Sequence, residues 1–257
     1  MNTREQQLQS FGRLLDIMDD LRAKCPWDMK QNMQSLRHLT IEETYELGDA
    51  ILDNDLQEIK KELGDVLLHI VFYSKIGSET STFDIADVCN EICEKLIHRH
   101  PHIYGDVVVQ DEEEVKRNWE KLKLKEGKKS VLEGVPKSLP ALVKASRIQD
   151  KVKGVGFDWE EPEQVWDKVQ EELQEFRDEI KVGNQENMEA EFGDVLFSMI
   201  NYARFLKINP EDALERTNKK FIKRFQYLES KADELGKSLS EMTLAEMDVF
   251  WNEAKKM

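Results

Sequence analysis

The chain has little that would interrupt a helix: six prolines and twelve glycines in 257 residues. So few breakers argue against a fold of many short strands joined by tight turns. Cysteine is scarce as well. Cys25, Cys89 and Cys93 are an odd set of three, which excludes a disulfide framework and fits a reducing cytoplasm. Cys89 and Cys93 stand four apart and could share a helix face, where half-buried reduced thiols are expected in preference to a metal pair. No apolar run approaches the roughly 18 residues of a membrane-spanning helix. The start, Met1-Asn2-Thr3-Arg4-Glu5, leads into a mixed helix and not a signal-peptide profile, so neither a membrane nor export is expected. Positive charge is also short: 37 Lys and Arg face 52 Asp and Glu, for a net charge of −15. With no basic stripe, no nucleic-acid partner is expected, although a nucleotide can bind if cations offset the repulsion.

What is present is a 40% apolar, 35% charged composition, which suits helices with one wet face. Apolar periodicity predicts helices over 5–24, 35–53, 55–77 and 83–99, the last ended by His100-Pro101-His102. The acidic run Asp111 to Glu114 opens a further helix through Trp119 and Leu122, where early acids complement the helix dipole. Further helices are predicted near 139–153, 162–182, 185–207, 210–235 and 241–255. The fold class is therefore all-α. Two tandem helical domains are expected, at 1–124 and 139–257, joined by a Lys-, Gly- and Pro-bearing linker at 125–138.

The tandem reading rests on a repeated acidic pattern. Glu42-Glu43-x-x-Glu46 followed by Glu62-x-x-Asp65 recurs as Glu171-Glu172-x-x-Glu175 followed by Glu191-x-x-Asp194. One constant offset, without a gap, carries each acid of the first set onto its counterpart, and also Gly64 onto Gly193, Val66 onto Val195 and Tyr73 onto Tyr202. Residues three or four apart share a helix face, so Glu43 neighbours Glu46 and Glu62 neighbours Asp65. Short turns at Asn54-Asp55 and Gly183-Asn184 make each helix pair antiparallel. Apolar neighbours such as Leu47, Ile51, Leu63, Val66 and Leu67, and in the second copy Phe176, Ile180, Phe192, Val195 and Leu196, are expected to set part of each cluster against the core. Two like charges about 4 Å apart repel by about 4 kcal/mol at an effective dielectric of 20. The carboxylates must therefore be partly protonated or hold cations. Oxygen-only donors select a hard ion, Mg²⁺ or Mn²⁺, and Mg²⁺ shares its shell with substrate phosphates. Two other readings stand beside this one. The acids could be solvated helix faces paired with Lys60 and Lys61, or belong to a ferritin-like di-iron bundle. That bundle needs Glu-x-x-His pairs, and the one nearby histidine is His69.

The second copy carries more cations. Lys168 precedes Glu171 by three residues and Glu172 by four; its counterpart is Leu39. Lys220 and Arg224 share a helix face, with Phe221 and Phe225 able to pack inward, and a Lys and an Arg beside a metal site suit a polyphosphate. Lys95 and Arg99 are the first-copy phosphate candidates, at an offset from Lys220 and Arg224 slightly shorter than that of the acids. Trp251 either seals a core or interface, or stacks on a base. His98, His100 and His102 alternate, but Pro101 disrupts any regular ligand geometry.

The double acidic pattern resembles that of the MazG nucleoside triphosphate pyrophosphohydrolases, within the all-α NTP pyrophosphatase superfamily. The resemblance extends over nearly the whole chain. It includes Lys24-Cys25-Pro26-Trp27-Asp28, Gly154-Val155-Gly156-Phe157-Asp158-Trp159 and Thr217-Asn218-Lys219-Lys220-Phe221. It implies tandem helical bundles, a homodimer, and Mg²⁺-dependent hydrolysis of NTPs and dNTPs, ATP included, to monophosphate and pyrophosphate. By the same resemblance Glu172, Glu175, Glu191 and Asp194 hold metal in the second copy, and Glu43, Glu46, Glu62 and Asp65 in the first. Lys168, Lys220 and Arg224 grip phosphates, Trp251 meets the base, and Glu171 or Glu175 serves the attacking water. Leu39 in place of Lys168 puts full activity of the first copy in doubt. A narrower enzyme, such as a dUTPase, and a non-enzymatic nucleotide-binding regulator share the acidic pattern; turnover of a substrate panel separates them.

Overall fold

The computed structural model describes residues 1–111, 114–115, 118–119, 122 and 130–256. Among them the regular structure is helical throughout, with no strand. The chain divides into two compact units, Met1–Val109 and Gln110–Met257. Residues 125–129 of the expected linker, and half of the expected helix from Asp111 through Trp119 and Leu122, lie outside the described residues.

The first unit runs α1 (Arg4–Lys24), a single 3₁₀ turn (Asp28–Lys30), α2 (Met33–Leu52), α3 (Leu56–Glu79), α4 (Ile85–Arg99) and α5 (Pro101–Tyr104). Thr3 caps α1 by accepting from the Gln6 amide, and Asn32 caps α2 by accepting from the amides of Gln34 and Ser35. The α2–α3 hairpin is covered on one side by α1. Met18, Leu36, Val71 and Phe72 are buried there, and Leu14, Leu15, Leu39, Leu68 and Ile76 pack around them. Burying side chains of this size contributes about 1.5–3 kcal/mol each. The expected stop at His100-Pro101-His102 is refined. Pro101 does end α4, but it opens the one-turn α5, because proline at the first helical position gives up only an amide that has no partner there.

The second unit runs α6 (Ala141–Lys153), α7 (Pro162–Val182), α8 (Gln185–Phe205), α9 (Pro210–Glu234), a 3₁₀ turn (Leu239–Glu241) and α10 (Leu244–Ala254). The α7–α8 hairpin is its centre; α6 packs on α8, α9 on α6 and α8, and α10 on α9. Val165, Val169, Val195, Ile200, Leu228 and Ala232 are buried.

Both hairpins turn by the same device. Asn54 and Gly183, matched by the same offset as the acids, sit at φ of 55° and 79°. The next residue, Asp55 or Asn184, caps the returning helix by accepting from its second and third amides. Glycine and asparagine tolerate this left-handed backbone, and the turn fixes how the two acidic helices register.

The apolar neighbours of the acids do not all face the core as expected. Leu63, Leu67, Phe192 and Leu196 are exposed, as are Ile51 and Ile180. A hairpin covered from one side cannot bury its whole apolar circumference. The second face stays open at matching positions of the two units.

Gly183 has nothing within 4 Å of where a Cβ would stand, so substitution there meets backbone strain and not a clash. Gly183→Asn should melt close to the parent. Gly183→Val should cost roughly 1–2 kcal/mol, read as a lower melting temperature by circular dichroism.

Candidate metal centre

Each hairpin gathers three carboxylates. In the first unit Glu43 and Glu46 project from α2 and Glu62 from α3. In the second, Glu172 and Glu175 project from α7 and Glu191 from α8. Within each trio one oxygen per residue lies within 4.8 Å of the others. Among the described residues these trios are the metal-capable groups of His, Cys, Asp and Glu. Cys89 and Cys93, expected half-buried, are exposed free thiols, and the alternating histidines form no such group. His69 is buried, and its Nδ1 and the Tyr73 hydroxyl meet the Thr40 hydroxyl at 2.9 Å and 2.7 Å. It serves a hydrogen-bond network and not a di-iron site.

The two centres are tuned differently. In the first, Glu62 is 3% exposed; its Oε1 accepts from Lys61 Nζ at 2.8 Å, and its Oε2 has no partner. A buried carboxylate oxygen without a donor is costly, and a hard cation is the partner it fits. Desolvation raises the Glu43 carboxyl above the usual range, aided by the charges of Asp65, Glu46 and Glu62. In the second unit the buried member is Glu172, on the other helix of the hairpin. Lys168 Nζ reaches Glu172 Oε1 at 2.7 Å and Glu171 Oε1 at 2.8 Å, bonds that raise the pKa of the lysine. Desolvation, then Glu172 and Glu191, raise Glu175, with Lys168 opposing. An oxygen-only trio with a buried member suits a hard divalent ion in both units.

The structure brings most, but not all, of the expected residues together. Asp65 and Asp194 stand outside the trios. Asp65 still acts on Glu43 through its charge, and Asp194 lines a cavity of about 500 Å³ together with Lys168 and Glu172. Lys220, Arg224 and Trp251 do not line that cavity. Arg224 and Trp251 meet between α9 and α10, where the Trp251 ring lies 5.0 Å from Phe221 and the Arg224 guanidinium 6.0 Å above it, and Lys220 precedes Arg224 by one turn of α9. Phe221, expected to pack inward, is exposed and stacks on Phe225, because α10 covers only part of the apolar face of α9. Lys95 and Arg99 lie on α4, which has no buried residue.

The residues given no role from sequence are those of the Gly156–Trp159 loop and its anchor. Asp158 pairs with Arg204 through two hydrogen bonds, one of 2.9 Å from Nη1 to Oδ2, and Arg204 also donates to Asn201. This part-buried, forked contact ties the loop to α8 and sets Phe157 and Trp159 in the cavity wall. The family-like segment containing them was the available signal, but it carried no register against α8.

The profile of the family described as "MazG nucleotide pyrophosphohydrolase domain" matches residues 31–104 and 160–228, one hairpin in each stretch. The chain is 41% identical over 250 residues to "Nucleoside triphosphate pyrophosphohydrolase/pyrophosphatase MazG" of Thermotoga maritima, covering 95% of each. It is 38% identical over 258 residues to "Nucleoside triphosphate pyrophosphohydrolase" of Escherichia coli K12, covering 97% of this chain and 98% of that protein. It is 47% identical to "Uncharacterized protein YabN" of Bacillus subtilis, of which it spans 52%.

If the trios hold metal, Mg²⁺ at about 100 times its dissociation constant should stabilise the protein by about 2.7 kcal/mol per site. Glu62→Gln and Glu172→Gln should each remove one class of sites in calorimetry. A melting temperature unmoved by tens of millimolar Mg²⁺ would mean that the acids are merely solvated.

Proposed function

The chain belongs to the MazG nucleotide pyrophosphohydrolase family, and from that premise we propose that it hydrolyses nucleoside triphosphates, NTPs and dNTPs with ATP among them, to the monophosphate and pyrophosphate. The observation that carries this reading is the second centre. Three carboxylates converge there, and the buried one, Glu172, is held by Lys168 and lines a cavity together with that lysine and Asp194. Glu172, Glu175, Glu191 and Asp194 are the proposed holders of Mg²⁺, with Mn²⁺ as the alternative. Once bound, such an ion supplies charge neutralisation of the triphosphate and a water of lowered pKa. Glu43, Glu46, Glu62 and Asp65 are the corresponding set in the first unit.

Lys168 is shared between Glu171 and Glu172 in the resting protein. In the proposed complex it exchanges one carboxylate for a phosphate oxygen, which frees Glu171. Glu171 and Glu175 are the candidates to take the proton from the attacking water. Attack at the α-phosphorus breaks its bond to the bridging oxygen, and the pyrophosphate leaves with added negative charge. Lys220 and Arg224 are assigned to stabilise that charge. Activity is proposed to reside mainly in 139–257, because Leu39 stands where Lys168 does. The exposed apolar stripes on α3 and α8 support a homodimer. A role in the cytoplasmic nucleotide pool completes the reading.

Two outcomes test it. Pyrophosphate release from ATP with Mg²⁺ should be abolished in Glu172→Gln and in Asp194→Asn while helicity persists; release of phosphate and ADP by the parent instead would place the attack at another phosphorus.

The second outcome concerns α9 and α10. Lys220→Ala and Arg224→Ala should lower turnover by a similar factor for every triphosphate, because they act on shared charge. Trp251→Ala should raise KM by about tenfold if the ring stacks on a base. It should dissociate the dimer on a sizing column, with KM unchanged, if the ring is an interface residue.

A further inference from the structure

The first unit has a cavity of its own, apart from its carboxylate trio. A volume of about 250 Å³ is open where α1, α3 and the start of α4 meet. Ser74, in its lining, stands about 18 Å along α3 from Glu62. Met18 and Val71, both buried, give the cavity an apolar floor. Its polar lining is one-sided. Ser74 Oγ donates to the Ile70 carbonyl at 2.8 Å and Ser78 Oγ to the Lys75 carbonyl at 2.7 Å. A hydroxyl has one proton, so both serines have only lone pairs left to offer. Lys75, the one cation of the lining, lies 2.7 Å from Asp19 Oδ1. Asp84 accepts the amides of Ala86 and Asp87 on Oδ1 alone. Two carboxylates thus face one engaged ammonium, and the lining has acceptors in surplus.

We propose that this cavity binds a short aliphatic amine in its ammonium form, with the chain on Met18 and Val71 and the charged head donating to Asp84 Oδ2 and the Ser78 hydroxyl. An anion would meet two carboxylates. A hard metal ion would find too few oxygens, since Asp19 and Asp84 belong to no metal-capable group among the described residues. A primary ammonium brings three donors on an apolar chain, which is the complement of this lining. The net charge of −15 raises the local concentration of such a cation. An occupant would join α1 and α3 to the first turn of α4, a helix with no buried residue of its own. None of these residues takes part in the triphosphate chemistry proposed above.

The second unit shows that the fold does not require this lining. The offset that relates the acids carries Ser74, Lys75 and Ser78 onto Ala203, Arg204 and Lys207. The slightly shorter offset that relates Lys95 to Lys220 carries Asp84 onto Asn209. Asn209 caps α9 by accepting from the amides of Glu211 and Asp212, as Asp84 caps α4. A neutral amide is therefore enough for the cap. The charge of Asp84 and the two hydroxyls are particular to the first unit, where they line one cavity.

Calorimetry of the full chain with pentylamine, charged near neutral pH, tests the proposal. Of the two controls, 1-pentanol keeps the chain and ammonium chloride keeps the charge. Pentylamine should bind the parent at roughly millimolar strength, and each control about tenfold more weakly or worse. Asp84→Asn installs the residue of the second unit, retains the cap and removes the charge; it should weaken pentylamine about tenfold. Asp16→Asn removes a charge of α1 outside the cavity and should bind as the parent does, which separates a seat from general attraction to an acidic surface. Ser78→Leu, which narrows the mouth, should also lose binding. The proposal is overturned if pentylamine gives no saturable heat up to tens of millimolar, if pentanol or ammonium binds the parent as well as pentylamine does, or if folded Asp84→Asn binds like the parent. The ligand controls need no variant, so a misfolded Asp84→Asn still leaves the parent's discrimination and Ser78→Leu as tests.

Discussion

The constraint on which the structure depends is the mutual repulsion of carboxylates held within 4.8 Å of each other between two antiparallel helices. Water would screen such charges if they were free to separate, but Glu62 and Glu172 are buried and cannot. The hairpin imposes the proximity. Asn54-Asp55 and Gly183-Asn184 reverse the chain in one left-handed residue and one cap. The returning helix therefore faces the outgoing one with the acids in register. Helix packing elsewhere in each unit holds a geometry that electrostatics alone would open, and the countercharge is left to a cation or a lysine.

The two units answer that demand in different ways. In the second, Lys168 spans Glu171 and Glu172 at 2.8 Å and 2.7 Å. In the first, Leu39 occupies the matching position and packs with Leu36, Leu68 and Phe72, while Glu62 takes Lys61 on one oxygen and nothing on the other. Substitutions in register, Leu39 for Lys168 and Phe72 for Asn201 among them, thus separate a unit that is built around its core from a unit that leaves a cavity next to its acids. The Asp158–Arg204 pair keeps that cavity walled, by fixing the Gly156–Trp159 loop to α8 with charge-assisted bonds.

Much of this was legible in the sequence. Helical period and caps located the helices to within a few residues, because apolar spacing and Asn, Asp or Thr caps act locally. The internal repeat marked the acids and their pairing on a face, and three of them from each copy converge into a group that could hold a metal ion. Helix faces were less well determined. Phe221, Leu63 and Phe192 read as inward residues and are exposed, because periodicity marks an apolar stripe without saying whether anything covers it.

What the sequence by itself determined, then, is which side chains a helix must present together: residues three or four apart cannot avoid being neighbours. What only the tertiary structure decided is which distant groups meet and which stay unmet. The meeting of Gln149 with the Phe197 carbonyl spans 48 residues, and that of Arg204 with Asp158 spans 46. Neither spacing has any local reason to bring its partners together. An orphaned acceptor is recognisable only when all its possible partners have been placed around it, since hydrogen-bond satisfaction is a property of the packed interior and not of a residue.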